Sequence, residues 1–395
     1  MGFERVKDPR YEPNVDHPLP TVLAALLTAM VTLARSLRDV EQRTLQVSQH
    51  ENAWQGLRER IADNTFGKIL PRLDGKNVAT LHWHDLCRVL DLDPTTARPA
   101  RVKKLLAKRF PHVQMCIPTE GEPYALARVH TVTLISSQAA CCVFQRPIEG
   151  RTNEIGAMPD LLRALRKAYG RTGLLDLLTT DAGNTSLGVA TLIVDELEWD
   201  YFSQIKVEHG DLYTEAVRAL AGLHVQNAEA SYVDTQNGQV VTYHVWRTDL
   251  SIAGWLGWTH ARQLVRVQRV AEDPKTGNKT VGNRYYVSSK STTALSSNDA
   301  LKISRGHWRC EDETHWTADA ILQEDRRRLA WSRHPNGVFV VAVLRMMALN
   351  ILAVARKLSR SGYSKETPTW RQVAEHFFLA LCSGTLSMEA FDAVS

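Results

Sequence analysis

Residues 305–328 read RGHWRCEDETHWTADAILQEDRRR, and the rest of the chain is best read outward from them. His307, Glu311, His315 and Asp319 recur every four residues, a spacing that on an α-helix lays them along one slowly rotating face. Trp308 and Trp316 flank the row, and the acidic pair Glu324 and Asp325 runs into Arg326, Arg327 and Arg328. A surface helix carrying ordinary i,i+4 pairs would share the charge spacing, but two tryptophans and two histidines are seldom given to plain solvent. The row therefore points to a helix that aims carboxylate at a metal ion and arginine at phosphate. A zinc site from His307, Glu311 and His315 lacks the shorter H-E-x-x-H spacing and any cysteine pair, whereas acidic oxygens suit magnesium or manganese.

Upstream of this stretch the texture is β-rich. AEASYVDTQNGQVVTYHVW is predicted as a hairpin turning on Asn237-Gly238, and QLVRVQRVAEDPKTGNKTVGNRYYVSS as a second hairpin with a longer turn. Further back, VQMCI, RVHTVTLISS and AACCVFQRPI read as strands, EIGAMPDLLRALRKAYG as an amphipathic helix, LLDLLTT as a strand ending at Asp181, and DYFSQIKV as another strand. Three strands followed by alternating helix and strand predict a mixed sheet covered by helices, an α/β (α+β) fold.

The first hundred or so residues read as helical, beginning with PTVLAALLTAMVTLARSLRDVEQ. TFGKILPRLDGKNVATLHWHDLCRVL continues the helical spacing with an interruption near Pro71. RPARVKKLLAKRFPH gathers Arg98, Arg101, Lys103, Lys104, Lys108 and Arg109, either a phosphate-neutralising stripe or a solvated helix face. Downstream, GVFVVAVLRMMALNILAVARKL is apolar nearly all round and predicts a buried helix. The expected division is a helical N-terminal domain at 1–110, a core at 111–358 with a β insertion at about 225–290, and a helical tail at 359–395.

Bulk properties set the frame. With 44% hydrophobic and 23% charged residues the chain has globular composition, and its net charge of +5 admits a nucleic-acid partner without demanding one. Six cysteines without CxxC spacing argue against a disulfide scaffold or a zinc ribbon. The apolar run Leu19–Ala34 is shorter than the roughly 20 residues needed to cross a bilayer, and no small-residue cleavage site follows it. A cytoplasmic, soluble protein with no membrane partner is expected.

The 305–328 stretch also resembles the third-acid region of DDE-type insertion-sequence transposases, in particular the H-repeat-associated branch. That branch is similar in its pattern R-x-H-W-x-x-E-x-x-x-H-W-x-x-D-x-x-x-x-E-D-x-x-R, met here from Arg305 to Arg328. Weaker similarities follow in order at ARVHTVTLISS, at Asn153-Glu154-Ile155, at LLTTDAG and at HVWRTDL, so that the resemblance spans roughly residues 15–355. It implies an RNase H-like core, with Asp181 as second and Glu311 as third catalytic carboxylate, both ligands of a two-ion Mg2+ or Mn2+ site. Two such ions about 3.5–4 Å apart can activate the attacking oxygen and stabilise the leaving one during cleavage and strand transfer. It also implies double-stranded DNA as partner (element ends and target), a homodimer on DNA, and a prokaryotic, nucleoid-associated location. Arg305, His307, Arg328, Lys206, Arg101 and Lys104 are the expected DNA contacts. Taken on its own residues, Asp181 also fits a turn-capping aspartate, since Gly183-Asn184-Thr185-Ser186 follows it closely.

Two departures accompany the resemblance. The first carboxylate, which the family carries at the end of its first core strand, is not in place: Pro118 and Thr119 stand there, with Glu120 or Glu122 as possible substitutes. Leu73-Asp74-Gly75-Lys76 copies the family's D-G-K context but falls in the helical region, where Asp74 reads as a turn residue. In QIKVEHGDL, Lys206 is kept while the glycine, asparagine and glutamine of the family's K-G-N-Q are lost. Three functions stay in view: a metal-dependent transposase, a catalytically silent DNA-binding descendant, and a metal hydrolase of small substrates supported only by the His/Glu row.

Overall fold

Pro18 and Pro20 flank the start of the first helix, where a missing amide hydrogen costs little. The computed structural model describes residues 2–11, 15–51, 59–89, 112–116, 129–135, 139–148, 152–170, 172–323, 335–360 and 367–384. In chain order the helices α1 (Leu19–Val31), α2 (Leu37–Ser48), α3 (Asp63–Ile69) and α4 (Gly75–Val89) lead into the strands β1 (His112–Cys116), β2 (Val129–Leu134) and β3 (Cys141–Pro147). Then come α5 (Glu154–Tyr169), β4 (Leu177–Thr180), α6 (Leu187–Thr191), β5 (Asp200–Ile205) and α7 (Gly210–Leu220). Four longer strands follow: β6 (Ala230–Gln236), β7 (Gln239–Asp249), β8 (Gln263–Glu272) and β9 (Lys279–Ser288). The chain closes with α8 (Ser297–His307), α9 (Trp316–Ala320), α10 (Pro335–Arg360) and α11 (Trp370–Ser383). These elements fall into two compact units, one of residues 1–108, 117–150 and 311–395, the other of residues 109–116 and 151–310.

The second unit is built on a mixed sheet in the order β1-β4-β5-β9-β8-β7-β6. Strands β1, β4 and β5 run parallel, and from β5 outward every pairing is antiparallel. Asn237 and Gly238 both have positive φ, +50° and +78°, which makes the β6–β7 connection the tight primed turn that Asn-Gly favours. β8 and β9 pair over ten residues, yet β5 matches only Tyr285–Ser288 of β9. Lys279–Arg284 therefore runs on past the carboxyl end of β5, roughly 20 Å of antiparallel arm at about 3.4 Å per residue. Trp246 and Tyr243 on β7 point to opposite faces of the sheet. On the Trp246 face, Arg266 of β8 stacks on the indole and donates to the carbonyl oxygens of Leu220 and Ala221, fastening the end of α7. On the other face α8 packs over a core of Phe202, Val245, Val265, Tyr286, Leu301 and Ile303.

The first unit is helical around α10. Leu23, Leu26, Phe66, Leu70 and Val78 from the start of the chain form one core with Phe339, Leu344, Leu352 and Leu381 from its end. This differs from the division at 110 and 359 expected from chain order: helices on both sides of those bounds bury one another. A Cβ at Gly75 would lie 2.5 Å from the Phe339 ring, so α4 begins in direct contact with α10. Asn336–Lys357 is long and apolar enough to cross a membrane, but 72% of that window is buried inside the unit, the pattern of a core helix. β2 and β3 form an antiparallel pair in this unit. Asn350 of α10 accepts from the Cys142 amide at 2.8 Å, donates to the Cys142 carbonyl at 2.7 Å, and meets Nε2 of His82 on α4 at 2.9 Å.

Candidate active site

The four residues of β4 are all buried, and the strand lies between two parallel neighbours. Its chain leaves the sheet at Asp181, at the carboxyl end of adjacent parallel strands, where open α/β sheets most often bind ligands. Asp181 caps the short helical turn Ala182–Asn184. Its Oδ1 accepts from the Asn184 amide at 3.0 Å and from the Asn184 side-chain Nδ2 at 2.9 Å. The Asp181 carbonyl accepts from Thr185 Oγ1 at 2.7 Å. Asp181 is thus the capping aspartate that its local sequence allows, and the cap engages one carboxylate oxygen. The other, Oδ2, takes no hydrogen bond from a described residue and stays partly exposed with its residue.

Both faces of β4 are tied down beside this carboxylate. Thr180 donates to Ser203 Oγ of β5 at 2.7 Å and lies 3.0 Å from Thr185 Oγ1. On the opposite face, Thr179 Oγ1 lies 3.2 Å from Nδ1 of His307. Lys206 follows the end of β5, on the same end of the sheet as Asp181, with its residue exposed. Its amide donates to Nδ1 of His209 at 3.1 Å, and Nε2 of that ring reaches the Thr185 carbonyl at 3.2 Å. The turn carrying Lys206 and the turn carrying Asp181 are therefore joined through one imidazole.

The remaining expected residues fall in different places. His307 is 2% exposed, and burial, helped by the positive charge of Arg284, holds its ring neutral with a pKa lowered to about 3. A neutral buried ring does not contact phosphate, so the expected role on DNA is corrected to a brace between α8 and β4. Arg305 likewise turns inward: it pairs with Asp234 at 2.9 Å and stacks over Tyr232 and Tyr243, 3.7 and 5.3 Å from their ring centroids. The predicted single helix across 305–319 is broken. α8 stops at His307, Cys310–His315 form a π-helical turn, and α9 resumes at Trp316. A π turn takes an extra residue per hydrogen-bonded ring, so four-residue spacing no longer lays His307, Glu311, His315 and Asp319 on one face. Glu311 stands exposed at the start of that turn, in the first unit. At the next residue, burial and the Glu313 charge push the Asp312 carboxyl up.

Asp74 accepts from the Lys76 amide at 2.9 Å at the start of α4, which makes it a helix-entry residue. Arg101, Lys104, Glu120, Glu122 and Arg328 lie outside the described residues. Among the described residues no group of three or more His, Cys, Asp or Glu is gathered closely enough to hold a metal ion, which also disposes of the His307–Glu311–His315 zinc row there. Asp181 itself fits a hard cation: an oxygen donor with one lobe held and the other presented. Sequence reasoning missed Asn184 and His209. The only trace of Asn184 was the capping pattern D-A-G-N, and nothing in the sequence marks His209.

With this geometry in view, residues 88–351 match the family model described as transposase DDE domain. Three proteins are similar in sequence. YncI of Escherichia coli O157:H7, which carries a transposase name, is 26% identical over 237 residues, or 57% of this chain and 56% of its own length. YbfL and YhhI of Escherichia coli strain K12, the latter named as H repeat-associated, are each 27% identical over 234 residues, 57% of this chain and 58% of theirs. The chain thus spans just over half the length of these relatives. A piggyBac transposase solved in a synaptic complex with hairpin DNA aligns over 98% of this chain and 78% of its own at a TM-score of 0.43 and 12% identity, too distant to bear on the fold or the site.

Proposed function

The chain belongs to the transposase DDE domain family, and from that premise we propose that it cuts and joins DNA in the movement of an insertion sequence, using divalent metal. The observation that carries the proposal is the placing of Asp181, which the resemblance makes the second carboxylate: it leaves the carboxyl end of a central parallel strand with one oxygen held by Asn184, while the other takes no hydrogen bond from a described residue. Glu311, from the start of the π turn, is the proposed third carboxylate. Mg2+ or Mn2+ bound there supplies Lewis-acid stabilisation of the oxygens that attack and leave phosphorus. Within the chain, the roles are to orient and to hold. Thr180, Ser203 and Thr185 fix the exit of β4, and His209 keeps the Lys206 turn against the Asp181 turn. Lys206, with Arg101, Lys104 and Arg328, neutralises the phosphates of double-stranded DNA; Arg305 and His307 position α8. The acting species in this proposal is a homodimer on the element ends, at the nucleoid in the cytoplasm.

The test is nicking of DNA carrying the inverted repeats that flank the gene, with Mg2+ or Mn2+ present. Wild type is expected to nick, and Asp181→Asn and Glu311→Gln are each expected to abolish nicking without loss of DNA binding. A second reading, a descendant that binds DNA without cutting it, is favoured by one observation: β1 ends at Cys116 and Pro118 and Thr119 follow where the first carboxylate belongs. Salt-sensitive, sequence-specific binding by a wild type that never nicks would establish that reading in place of the first.

A further inference from the structure

Asn184 is 3% exposed, and its side-chain Oδ1 has no hydrogen-bond partner among the described residues. The hydrogen bond that its amide group makes runs from Nδ2 to Asp181 Oδ1 at 2.9 Å. Burying a carbonyl oxygen without a donor is unfavourable, so this side chain is a poor choice for stability. A small apolar residue would fill the same space without an unpaired oxygen. The backbone amide of Asn184 already satisfies the turn, since it too donates to Asp181 Oδ1, at 3.0 Å. What the side chain adds is a second donor on the same oxygen from a different direction, and two donors converging on Oδ1 fix the rotation of the carboxylate plane. The amide cannot be reversed, because that would set its oxygen against the carboxylate.

We propose that Asn184 is a positioning residue that locks the Asp181 carboxylate with Oδ1 turned inward and Oδ2 presented to a divalent cation. The inference rests on Asp181 being a metal ligand. It extends that reading to a residue whose cost in stability is offset by the orientation it imposes. Groups that orient a metal ligand typically change affinity or activity by about 10–100-fold when removed.

Full-length wild type, Asp181→Asn, Asn184→Ala and Asn184→Ser are to be titrated with Mn2+ and followed by the electron paramagnetic resonance of the free ion, with thermal melting of each protein alongside. The expected result is Mn2+ binding weakened roughly tenfold or more in both Asn184 variants, with a melting temperature equal to wild type or higher. Serine, too short to reach Oδ1 from this backbone, should not rescue. A lowered melting temperature with unchanged Mn2+ affinity, or failure of both variants to fold, makes Asn184 an ordinary structural residue and overturns the inference. If Asp181→Asn binds Mn2+ as tightly as wild type, the ligand reading itself falls. If Asp181→Asn weakens binding while both Asn184 variants do not, that reading stands and this inference fails.

Discussion

His82 and His307 occupy interiors that disfavour the imidazolium. Burial lowers His82 to about 4, and burial together with the Arg284 charge lowers His307 to about 3, against about 6.5 for an unfolded chain. A histidine depressed on folding stabilises the protein fully above its unfolded pKa, and that contribution is lost as pH falls from about 6.5 toward the folded value. For His82 the loss amounts to roughly 3 kcal/mol at its limit. Urea melts should therefore show the midpoint falling steeply between pH 6.5 and 4, and His82→Gln, which can still face Asn350, should flatten that slope. Neither ring could be placed from sequence. His307 sits in a row of charged and polar residues whose spacing does not mark it as a core position, and its partner Thr179 lies 128 positions earlier. Asp181 was more legible, because a strand of β-branched and apolar residues ending in an aspartate reads locally. Asn184 was not: its meaning depends on a buried oxygen left without a partner among the described residues, a condition that only the fold creates.

Between helix α8 and the β6–β7 hairpin, Arg305 acts as a clamp. It joins an ion pair with Asp234 to stacking on Tyr232 and Tyr243, and Gln236 ties Asp234 to the Tyr243 hydroxyl. Arg305→Ala is expected to destabilise the second unit by about 1–2 kcal/mol, read as a lowered thermal midpoint. Arg305→Lys should restore less than half of that, since an ammonium lacks the planar face that stacks on a ring. The hairpin itself was readable from Asn237-Gly238, because positive φ at two successive residues is a local demand that those residues meet. The π turn at Cys310–His315 was not readable. Its residues keep a regular four-residue spacing, and nothing in that spacing distinguishes a turn closed one residue later. Local preferences therefore gave the strands and the tight turn, whereas the helix carrying Glu311 took a shape that packing decides.

Across the whole chain, the first unit joins segments that sequence order keeps apart. Residues 1–89 look like a separable domain, yet their apolar faces close on α10 and α11. Deleting residues 1–89 should thus leave Val340, Leu344 and Leu352 uncovered and give an aggregated product in size-exclusion chromatography, where an independent domain would have left a soluble remainder. The same interleaving governs the order of events at the ribosome. Nearly all of the second unit is one continuous run, residues 151–310, and can collapse as it emerges. The helices α1 to α4 are made before the second unit and their partner α10 after it, on the order of 10–50 s later at 5–20 residues per second. During that interval Leu23, Leu26 and Phe66 face water on a nascent chain, the kind of exposed apolar surface that chaperones cover until its partner arrives.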